Sequence, residues 1–208
     1  MVSQAAQYFL AGFETIGSIF CYMLYELAKH PDYQERLRDE ITSVMSNYDN
    51  INSNAINEMV YLDMAFKETM RLYPVLPFLD RKVAKNYKIP NTDITLEKDT
   101  NVYISIIGMH MDPQYFPNPS KFDPERFSSE NKANIVPFTY LPTGAGPRVC
   151  IGARYGYTTI KVGIIHILKN FKITTCEETP EKLESFGPSF VLVPTQAIKI
   201  VQEILLQA

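Results

Sequence analysis

Cys150 lies in the segment whose residue types and spacing point most strongly to chemistry. It follows a glycine-rich turn containing Gly144 and Gly146, and a predicted helix over about residues 151–170 comes directly after it. Unpaired amides and the helix dipole favour negative charge at a helix N-terminus, so a thiol there is biased towards the thiolate that binds metal. Glycines permit tight backbone geometry and let amides approach the sulfur, where their hydrogen bonds tune a ligating thiolate.

The residues that follow Cys150 also suit a ligand. Gly152, Ala153 and Gly156 together predict a face flat enough to lie close to a planar molecule. Two other interpretations stay open at this point, because a single cysteine is most often inert core and a glycine-rich turn before a helix can bind phosphate. Metal ligation is therefore one of three hypotheses for this loop taken alone.

A second candidate segment, Ala11-Gly12-Phe13-Glu14-Thr15, lies in the middle of a predicted long helix. Glycine inside a helix costs about 1 kcal/mol relative to alanine, so Gly12 needs a packing reason. Thr15 can turn its hydroxyl back to the carbonyl of Ala11 and open the helix locally. The resulting groove would hold an acid and an alcohol side by side, which suits proton delivery to a bound oxygen species. The competing interpretation is a helix–helix crossing that uses small residues.

A third candidate is an ion-pair cluster around Glu68 and Arg71, which are three residues apart on a predicted helix over about residues 55–73. An exposed pair of this kind contributes only about 0.2–0.5 kcal/mol. These two residues share an arc of the helix with apolar side chains, so they need further partners. Arg126, in Pro124-Glu125-Arg126-Phe127, is expected to complete a Glu–Arg–Arg cluster with bidentate hydrogen bonds.

The elements that must position these segments are mostly helices. Apolar periodicity predicts one helix over residues 1–29, stopped by His30-Pro31, and a second helix that starts at Pro31. The proline-rich stretch over 112–148 is predicted to be irregular but ordered, because aromatic residues are spread through it. The remaining elements are short strands over residues 87–89, 94–96 and 101–107, and two or three strands within 171–201. The sequence therefore predicts an α+β fold that is mainly α.

Composition narrows the function classes. The chain has 208 residues and a net charge of −3, which gives no electrostatic reason to expect a nucleic-acid partner. Its three cysteines are an odd number without zinc-site spacing, so a disulfide framework is not expected. The start of the chain lacks the features of a signal peptide. The apolar stretch over residues 8–28 contains Glu14 and Glu26, so it is predicted to be a buried soluble helix rather than a membrane span.

The candidate segments occur in an order that resembles the cytochrome P-450 superfamily, above all its microsomal members from insects and vertebrates. The order is Ala11-Gly12-x-Glu14-Thr15, Glu68-x-x-Arg71, Pro124-Glu125-Arg126-Phe127 and Gly146-x-Arg148-x-Cys150-x-Gly152. The resemblance covers essentially all of residues 1–208. It implies the C-terminal part of the family's fold, helices I to L with small β-sheets, with the N-terminal half absent.

The resemblance also implies a cofactor, haem b. Cys150 would be the axial thiolate of the haem iron, whose electron donation favours O–O cleavage. Arg148 and Arg81 would pair with the haem propionates. The small residues of the cysteine loop would lie beside the macrocycle, namely Gly144, Gly146, Gly152 and Ala153.

Further roles are implied for the other segments. Thr15 and Glu14, in the groove that starts at Ala11 and Gly12, would relay protons to iron-bound oxygen. Glu68, Arg71 and Arg126 would support the cysteine loop. The residues expected to approach an apolar substrate are Pro77, Phe78 and Leu79, with Phe190 from a C-terminal hairpin. An NADPH-dependent flavoprotein reductase would supply electrons at the face around the cysteine loop. The family location implied is the cytoplasmic side of the endoplasmic-reticulum membrane, although no anchor segment is expected within these 208 residues.

Two departures and two alternatives accompany this resemblance. Thr143 stands where the family usually has phenylalanine, so apolar cover over the thiolate is lost and a hydroxyl becomes available to the sulfur. Val149 replaces a commonly polar residue. The chain alone is expected to leave much of helix I exposed, and so to fold poorly or to associate. The alternatives to a monooxygenase are a truncated relative that cannot hold haem alone and a small electron-transfer haem protein.

Overall fold

Helices and three small sheets make up the fold in a computed structural model that describes residues 1–183 and 191–205. The helices are α1 (Val2–Lys29), α2 (Pro31–Met45), α3 (Ser53–Glu58), α4 (Val60–Leu72), α5 (Ile106–His110) and α6 (Ala153–Asn170). The strands are β1 (Phe78–Lys82), β2 (Tyr87–Lys88), β3 (Thr95–Leu96), β4 (Asn101–Ser105), β5 (Phe171–Thr175) and β6 (Ile200–Ile204). The predicted α+β, mainly α, fold is confirmed.

Each sheet of the described residues is an antiparallel pair. The pairs are β1 with β4, β2 with β3, and β5 with β6. Short 3-10 turns over Pro124–Phe127, Lys132–Asn134 and Gly146–Arg148 lie in the stretch predicted to be irregular. The chain between α5 and α6 is therefore held mostly by loop contacts to the helices.

The helix predicted over residues 55–73 is wrong as a single element. The backbone of Met59 leaves the helical region, with φ −79° and ψ 81°, and separates α3 from α4. The N-terminus of α4 is capped from another helix, because the Glu40 carboxylate in α2 accepts from the N–H groups of Tyr61 (2.7 Å) and Leu62 (2.9 Å). A cap supplied from 21 residues away explains why local sequence did not predict the break.

The strand predicted over residues 101–107 is also too long, because α5 begins at Ile106. The side chain of Ser105 caps α5 by accepting from the N–H of Gly108. The carbonyl of Pro77 accepts from the N–H groups of Ile106 and Ile107, at 2.9 and 3.2 Å. These bonds turn the chain into a helix where the apolar pattern continues. Strand β1, which carries three charged residues, was not predicted.

The core lies where α1, α2, α4 and α6 meet. Leu27, Leu37, Leu62 and Ile164, one from each helix, are fully buried there. Only the second half of α1 takes part, because its buried residues all fall within 18–28 whereas residues 1–11 are exposed. The prediction of a buried helix is thus right for one half of α1 and wrong for the other. Among the described residues, no helix has both the length and the apolarity needed to cross a membrane.

Two glycines of α6 set its approach to α1. A Cβ added at Gly163 would lie 2.6 Å from the Phe20 ring, and one added at Gly156 would lie 3.7 Å from Ile16. The absence of these side chains therefore allows close packing of the two helices. This crossing joins the element that carries Thr15 to the element that follows Cys150.

Candidate functional site

The loop before α6 is held closed by backbone hydrogen bonds. The N–H of Cys150 donates to the carbonyl of Thr143 (3.0 Å), and the N–H of Val149 donates to that of Gly146 (3.0 Å). Gly144 and Gly146 have φ angles of +77° and +75°, in the left-handed region that only glycine adopts readily. The glycines are therefore needed for the path of the chain. The helix itself begins at Ala153 and not at residue 151, so Cys150 lies three residues before the first helical residue.

The thiol of Cys150 opens onto an exposed apolar surface. Cys150 is exposed, and its neighbours Val149, Ile151 and Tyr155 are 48%, 84% and 72% exposed. A Cβ added at Gly152 would lie 4.0 Å from the Cys150 sulfur, so the glycine keeps that side of the sulfur clear. An exposed apolar surface around a free thiol is typical of a face that another molecule covers.

Thr143 has a hydrogen-bond partner that the sequence did not indicate. Its hydroxyl lies 3.1 Å from the phenol oxygen of Tyr157 in α6. The Tyr157 ring packs edge-on against Phe66 of α4, with ring centroids 4.9 Å apart. Burial raises the pKa of Tyr157; the hydrogen bond with Thr143 lowers it, and the nearby charge of Cys150 raises it. The Thr143 hydroxyl, expected to be available to the sulfur, is therefore engaged by a neutral phenol.

The structure brings Glu68, Arg71 and Arg126 together. Arg71 donates to both carboxylate oxygens of Glu68, at 2.7 and 2.8 Å, and Arg126 donates to one of them at 3.2 Å. The side chains of Glu68 and Arg71 are completely buried. Burial raises the pKa of Glu68, and the hydrogen bonds from Arg71 oppose that effect. The bidentate geometry is that of an ionised carboxylate.

The cluster holds loops as well as its own members. The N–H of Asp123 donates to Glu68 (2.9 Å), and Arg71 donates to the carbonyls of Pro119 (2.7 Å) and His110 (2.8 Å). Loss of the cluster would therefore release the backbone of the long segment that leads towards the cysteine loop.

His110 is a residue that the sequence reasoning missed. It is fully buried at the end of α5, where its Nδ1–H donates to the carbonyl of Arg71 (3.1 Å). Its Nε2 accepts from the N–H of Leu141 (3.0 Å), and the carbonyl of Leu141 accepts from the N–H of Gly144. Burial lowers the pKa of His110 to about 4, so the ring is neutral as both bonds require. His110 thus connects the buried cluster to the start of the cysteine loop.

The first-helix segment keeps its helical form. The Thr15 hydroxyl donates to the carbonyl of Ala11 (2.5 Å) and lies 3.4 Å from that of Gly12. The expected bond from the Thr15 hydroxyl to the Ala11 carbonyl is confirmed, and α1 runs through this point without a break from Val2 to Lys29. A Cβ at Gly12 would meet nothing within 4 Å, and Glu14 is exposed. The next residue along the chain, Ile16, contacts α6 at Gly156, so Thr15 lies on the cysteine-loop side of the crossing.

Strand β1 lies against the cysteine loop. The Leu79 side chain is 3.7 Å from the position that a Cβ of Gly144 would take. Arg81 lies on the same face of β1 as Leu79, because alternate residues of a strand share a face. Phe78 lies on the opposite face and contacts the Tyr103 ring edge-on, with centroids 5.3 Å apart. The structure therefore does not bring Phe78 and Leu79 to one surface.

The remaining candidate residues are placed as follows. Arg148 is exposed in the 3-10 turn just before Cys150. Pro77 is half-buried, and its carbonyl is held by the start of α5. Phe190 lies outside the described residues. The chain resumes at Val191, and the N–H of Leu192 donates to the carbonyl of Val75 at 2.7 Å, two residues before Pro77.

Comparison with known proteins gives the family. The family model for cytochrome P-450 matches residues 1–201. Cytochrome P-450 6k1 of Blattella germanica is 46% identical over 201 residues, which cover 96% of this chain and 38% of that protein. Probable cytochrome P-450 6a14 of Drosophila melanogaster is 43% identical, over 98% of this chain and 40% of its own length. Lithocholate 6-beta-hydroxylase of Mesocricetus auratus is 39% identical, over 95% and 39%. The chain belongs to the cytochrome P-450 family.

The family implies a haem cofactor, and the residues present fit one. The chain spans about two fifths of the length of the curated relatives it matches. Within the part of the chain that the structure describes, no group of three or more metal-binding side chains occurs. A solitary exposed cysteine suits an iron whose other ligands come from a macrocycle. The apolar surface around Cys150 and the open side at Gly152 suit the flat face of such a molecule.

Proposed function

We propose that the protein is a haem-thiolate monooxygenase that inserts one oxygen atom from O2 into an apolar organic substrate. Its electrons would come from NADPH through a flavoprotein reductase. The observation that carries this proposal is the exposed Cys150, which a closed glycine loop holds and which has the exposed apolar residues Val149, Ile151 and Tyr155 close to it in the chain. When bound, haem b would supply the activation of O2, which no side chain of this chain can perform.

Cys150 would bind the iron through its sulfur. The hydrogen bond between its N–H and Thr143 fixes the backbone from which the sulfur projects. Gly144, Gly146, Gly152 and Ala153 would leave room beside the cofactor. Arg148 and Arg81 would hold its carboxylates; Arg81 is supported by its position on the β1 face that meets the loop.

Thr15 would hold and pass a proton at its hydroxyl oxygen. That hydroxyl donates to the carbonyl of Ala11, which leaves its lone pairs free to accept from a water. Accepting from a water would let Thr15 take up a proton there as it gives up its own. Glu14 is exposed next to it and would exchange protons with solvent. The open space at Gly12 would give a small oxygen ligand room beside the helix.

The substrate would be apolar, because the residues offered to it are apolar. Leu79 contacts the cysteine loop, and Pro77 lies two residues before Leu79 in the chain. These two residues are therefore the best-supported substrate contacts of this chain. Phe78 faces the other way and would act through the packing of β1 against β4. Phe190 is proposed from the family resemblance alone. The reductase would dock on the face around the cysteine loop, and the location would be the endoplasmic-reticulum membrane.

One observation favours an alternative for the chain on its own. The first ten residues of α1 are exposed and include large apolar side chains such as Phe9 and Leu10. Apolar surface of this extent promotes association. The alternative is therefore that this chain by itself does not retain haem.

The test is the absorption spectrum of the chain expressed with haem, reduced and exposed to carbon monoxide. A strongly red-shifted Soret band that disappears in Cys150→Ala and persists in the control Cys176→Ala would support the proposal. Haem retained in Cys150→Ala with an unchanged spectrum would refute the ligand assignment. No band in any variant would favour the alternative.

A second experiment separates oxygen insertion from simple electron transfer. Thr15→Ala in a haem-loaded chain with reductase is expected to consume NADPH and release peroxide with less product. An electron-transfer protein would be indifferent to this change, because proton delivery to oxygen would have no role in it.

A further inference from the structure

Thr143 bonds to both sides of the cysteine loop through two different oxygen atoms. Its carbonyl accepts from the N–H of Cys150 at 3.0 Å, which closes the loop over residues 144–149. Its hydroxyl lies 3.1 Å from the phenol oxygen of Tyr157, seven residues after Cys150 and in the helix that follows. A single residue thus joins the chain before the loop to Cys150 and to α6.

Tyr157 is a firm point of attachment because it is packed into the core. Its ring contacts Phe66, which is completely buried in α4. Gly156, the residue before it, contacts α1 at Ile16, so this turn of α6 is held between two helices. A hydrogen bond to such a group restrains Thr143 more than a bond to a mobile side chain would.

The loop has few other side-chain restraints of this kind. Its glycines have no side chain, and Arg148, Val149 and Cys150 are exposed. Backbone bonds fix the internal shape of the loop, and the N–H of Ala153 at the start of α6 donates to the carbonyl of Cys150 at 3.4 Å. The Thr143–Tyr157 bond adds a side-chain link between the chain before the loop and the same helix. The loop is thus joined to α6 both at Cys150 itself and at Thr143, on the opposite end of the loop.

We propose that Thr143 and Tyr157 form a hydroxyl pair that positions the Cys150 sulfur against the start of α6. This inference rests on the proposed function only in its consequence for the haem iron. Removal of either hydroxyl breaks the same link, so the two single variants are expected to behave alike. A thiolate held less firmly changes its donation to the iron, and the midpoint potential of the haem then moves.

The first measurement needs no haem. Hydrogen–deuterium exchange followed by mass spectrometry is made on the full chain as wild type, Thr143→Val, Tyr157→Phe and the double variant. Valine keeps the branched shape of threonine, and phenylalanine keeps the ring against Phe66. Each single variant is expected to exchange about 2- to 10-fold faster in peptides covering residues 141–152, as for the loss of one hydrogen bond. The double variant is expected to exchange no faster than either single variant.

Two controls limit the interpretation. Thr158→Val removes a hydroxyl of α6 that bonds only to the carbonyl of Arg154, and it should leave residues 141–152 unchanged. Thr143→Ser retains the hydroxyl and should restore slow exchange. Unchanged exchange in the single variants, or effects that add in the double variant, would overturn the proposal. Faster exchange spread equally over α4 and α6 would also overturn it, because that pattern indicates loss of core packing.

The second measurement is the haem midpoint potential by spectroelectrochemical titration of the loaded chain. Thr143→Val and Tyr157→Phe are expected to shift the potential in the same direction, with no further shift in the double variant. Potentials equal to those of wild type and Thr158→Val would overturn the proposed control of the sulfur. If the wild-type chain takes up no haem, the proposed function fails for this chain, and the exchange measurement alone decides the hydroxyl pair.

Discussion

His110 is expected to make the folded chain sensitive to mild acid, because its imidazole is buried in the neutral form. Burial lowers its pKa from 6.5 to about 4. Protonation would place a hydrogen on Nε2, which now accepts from the N–H of Leu141. The folded state would then lose that bond and hold an unpaired charge in its core, next to the Arg71 guanidinium.

The sign and size of the effect follow from proton linkage. The unfolded chain binds a proton at His110 near pH 6.5, whereas the folded chain does so only near pH 4. The free energy of unfolding is therefore unaffected above pH 6.5 and falls as the pH drops through this window. The loss contributed by His110 is about 2 kcal/mol at about pH 5 and roughly 3 kcal/mol once the pH is below both values.

The assay is urea unfolding followed by circular dichroism at about pH 7.5 and about pH 5. His110→Gln keeps a donor and an acceptor but cannot titrate, so it should lose about 2 kcal/mol less than wild type between the two pH values. His166→Gln, at an exposed histidine, is the matched control and should follow wild type. Other titrating groups are common to all three proteins and cancel in the difference. Parallel losses in wild type and His110→Gln would refute the reasoning.

Three further outcomes are expected. Arg71→Met should lower the free energy of unfolding by about 3–5 kcal/mol, because it removes the main partner of the fully buried Glu68 carboxylate. In the same urea assay, Arg36→Met at an exposed ion pair should cost about 0–1 kcal/mol. The His30 ring donates a hydrogen bond to the buried Glu26 carboxylate, which raises the pKa of His30. The stabilising contribution of His30 is therefore present below about pH 6.5 and is lost as the pH rises through the folded pKa. His30→Gln should flatten that fall in thermal melts measured against pH. Gly163→Ala should destabilise the chain by about 1–3 kcal/mol, because the Phe20 ring occupies the space that the new methyl group needs. Gly17→Ala places its methyl group where no atom lies within 4 Å, so it should stabilise the chain by up to about 1 kcal/mol in chemical denaturation.

Each of these has an outcome that would count against it. Equal losses for the two arginine variants would mean that the buried cluster is not coupled to global unfolding. If the stability of His30→Gln still falls with rising pH as much as that of wild type, another titrating group causes the fall. Equal effects of the two glycine variants would show that the close approach of α1 and α6 is not needed for folding.

The sequence predicted the segments of the candidate site better than the contacts that join them. The Glu68–Arg71 pair was predictable because two charges on an apolar helix face must find partners, and the guanidinium of Arg126 could supply bidentate hydrogen bonds to complete the cluster. The turn at Gly144 and Gly146 was predictable because glycines permit the tight backbone geometry that a turn before a helix requires. These predictions rest on residues within one segment or on a recognised order of segments.

What the sequence did not predict depends on partners far away along the chain. His110 acts through Leu141, 31 residues later, and nothing in its own segment indicates that distance. The hydroxyl of Thr143 was expected to be available to the nearby sulfur, whereas the structure pairs it with Tyr157 on the other side of the loop. The break at Met59 follows from a carboxylate of α2. In each case a tertiary hydrogen bond overrides what the local pattern favours.

The crossing of α1 and α6 at Gly156 and Gly163 supports α1 at one end of its first half only. Residues 18–28 are clamped in the core, and residues 1–11 extend from the clamp without support. At about 1.5 Å per residue, Val2 lies roughly 21 Å from the support at Ile16, and Thr15 lies about 1.5 Å from it. A swing of about 10° would therefore move Val2 by about 4 Å and Thr15 by only about 0.3 Å. The exposed residues 2–11 can be displaced by whatever packs on them while the hydroxyl of Thr15 stays nearly fixed relative to the cysteine loop.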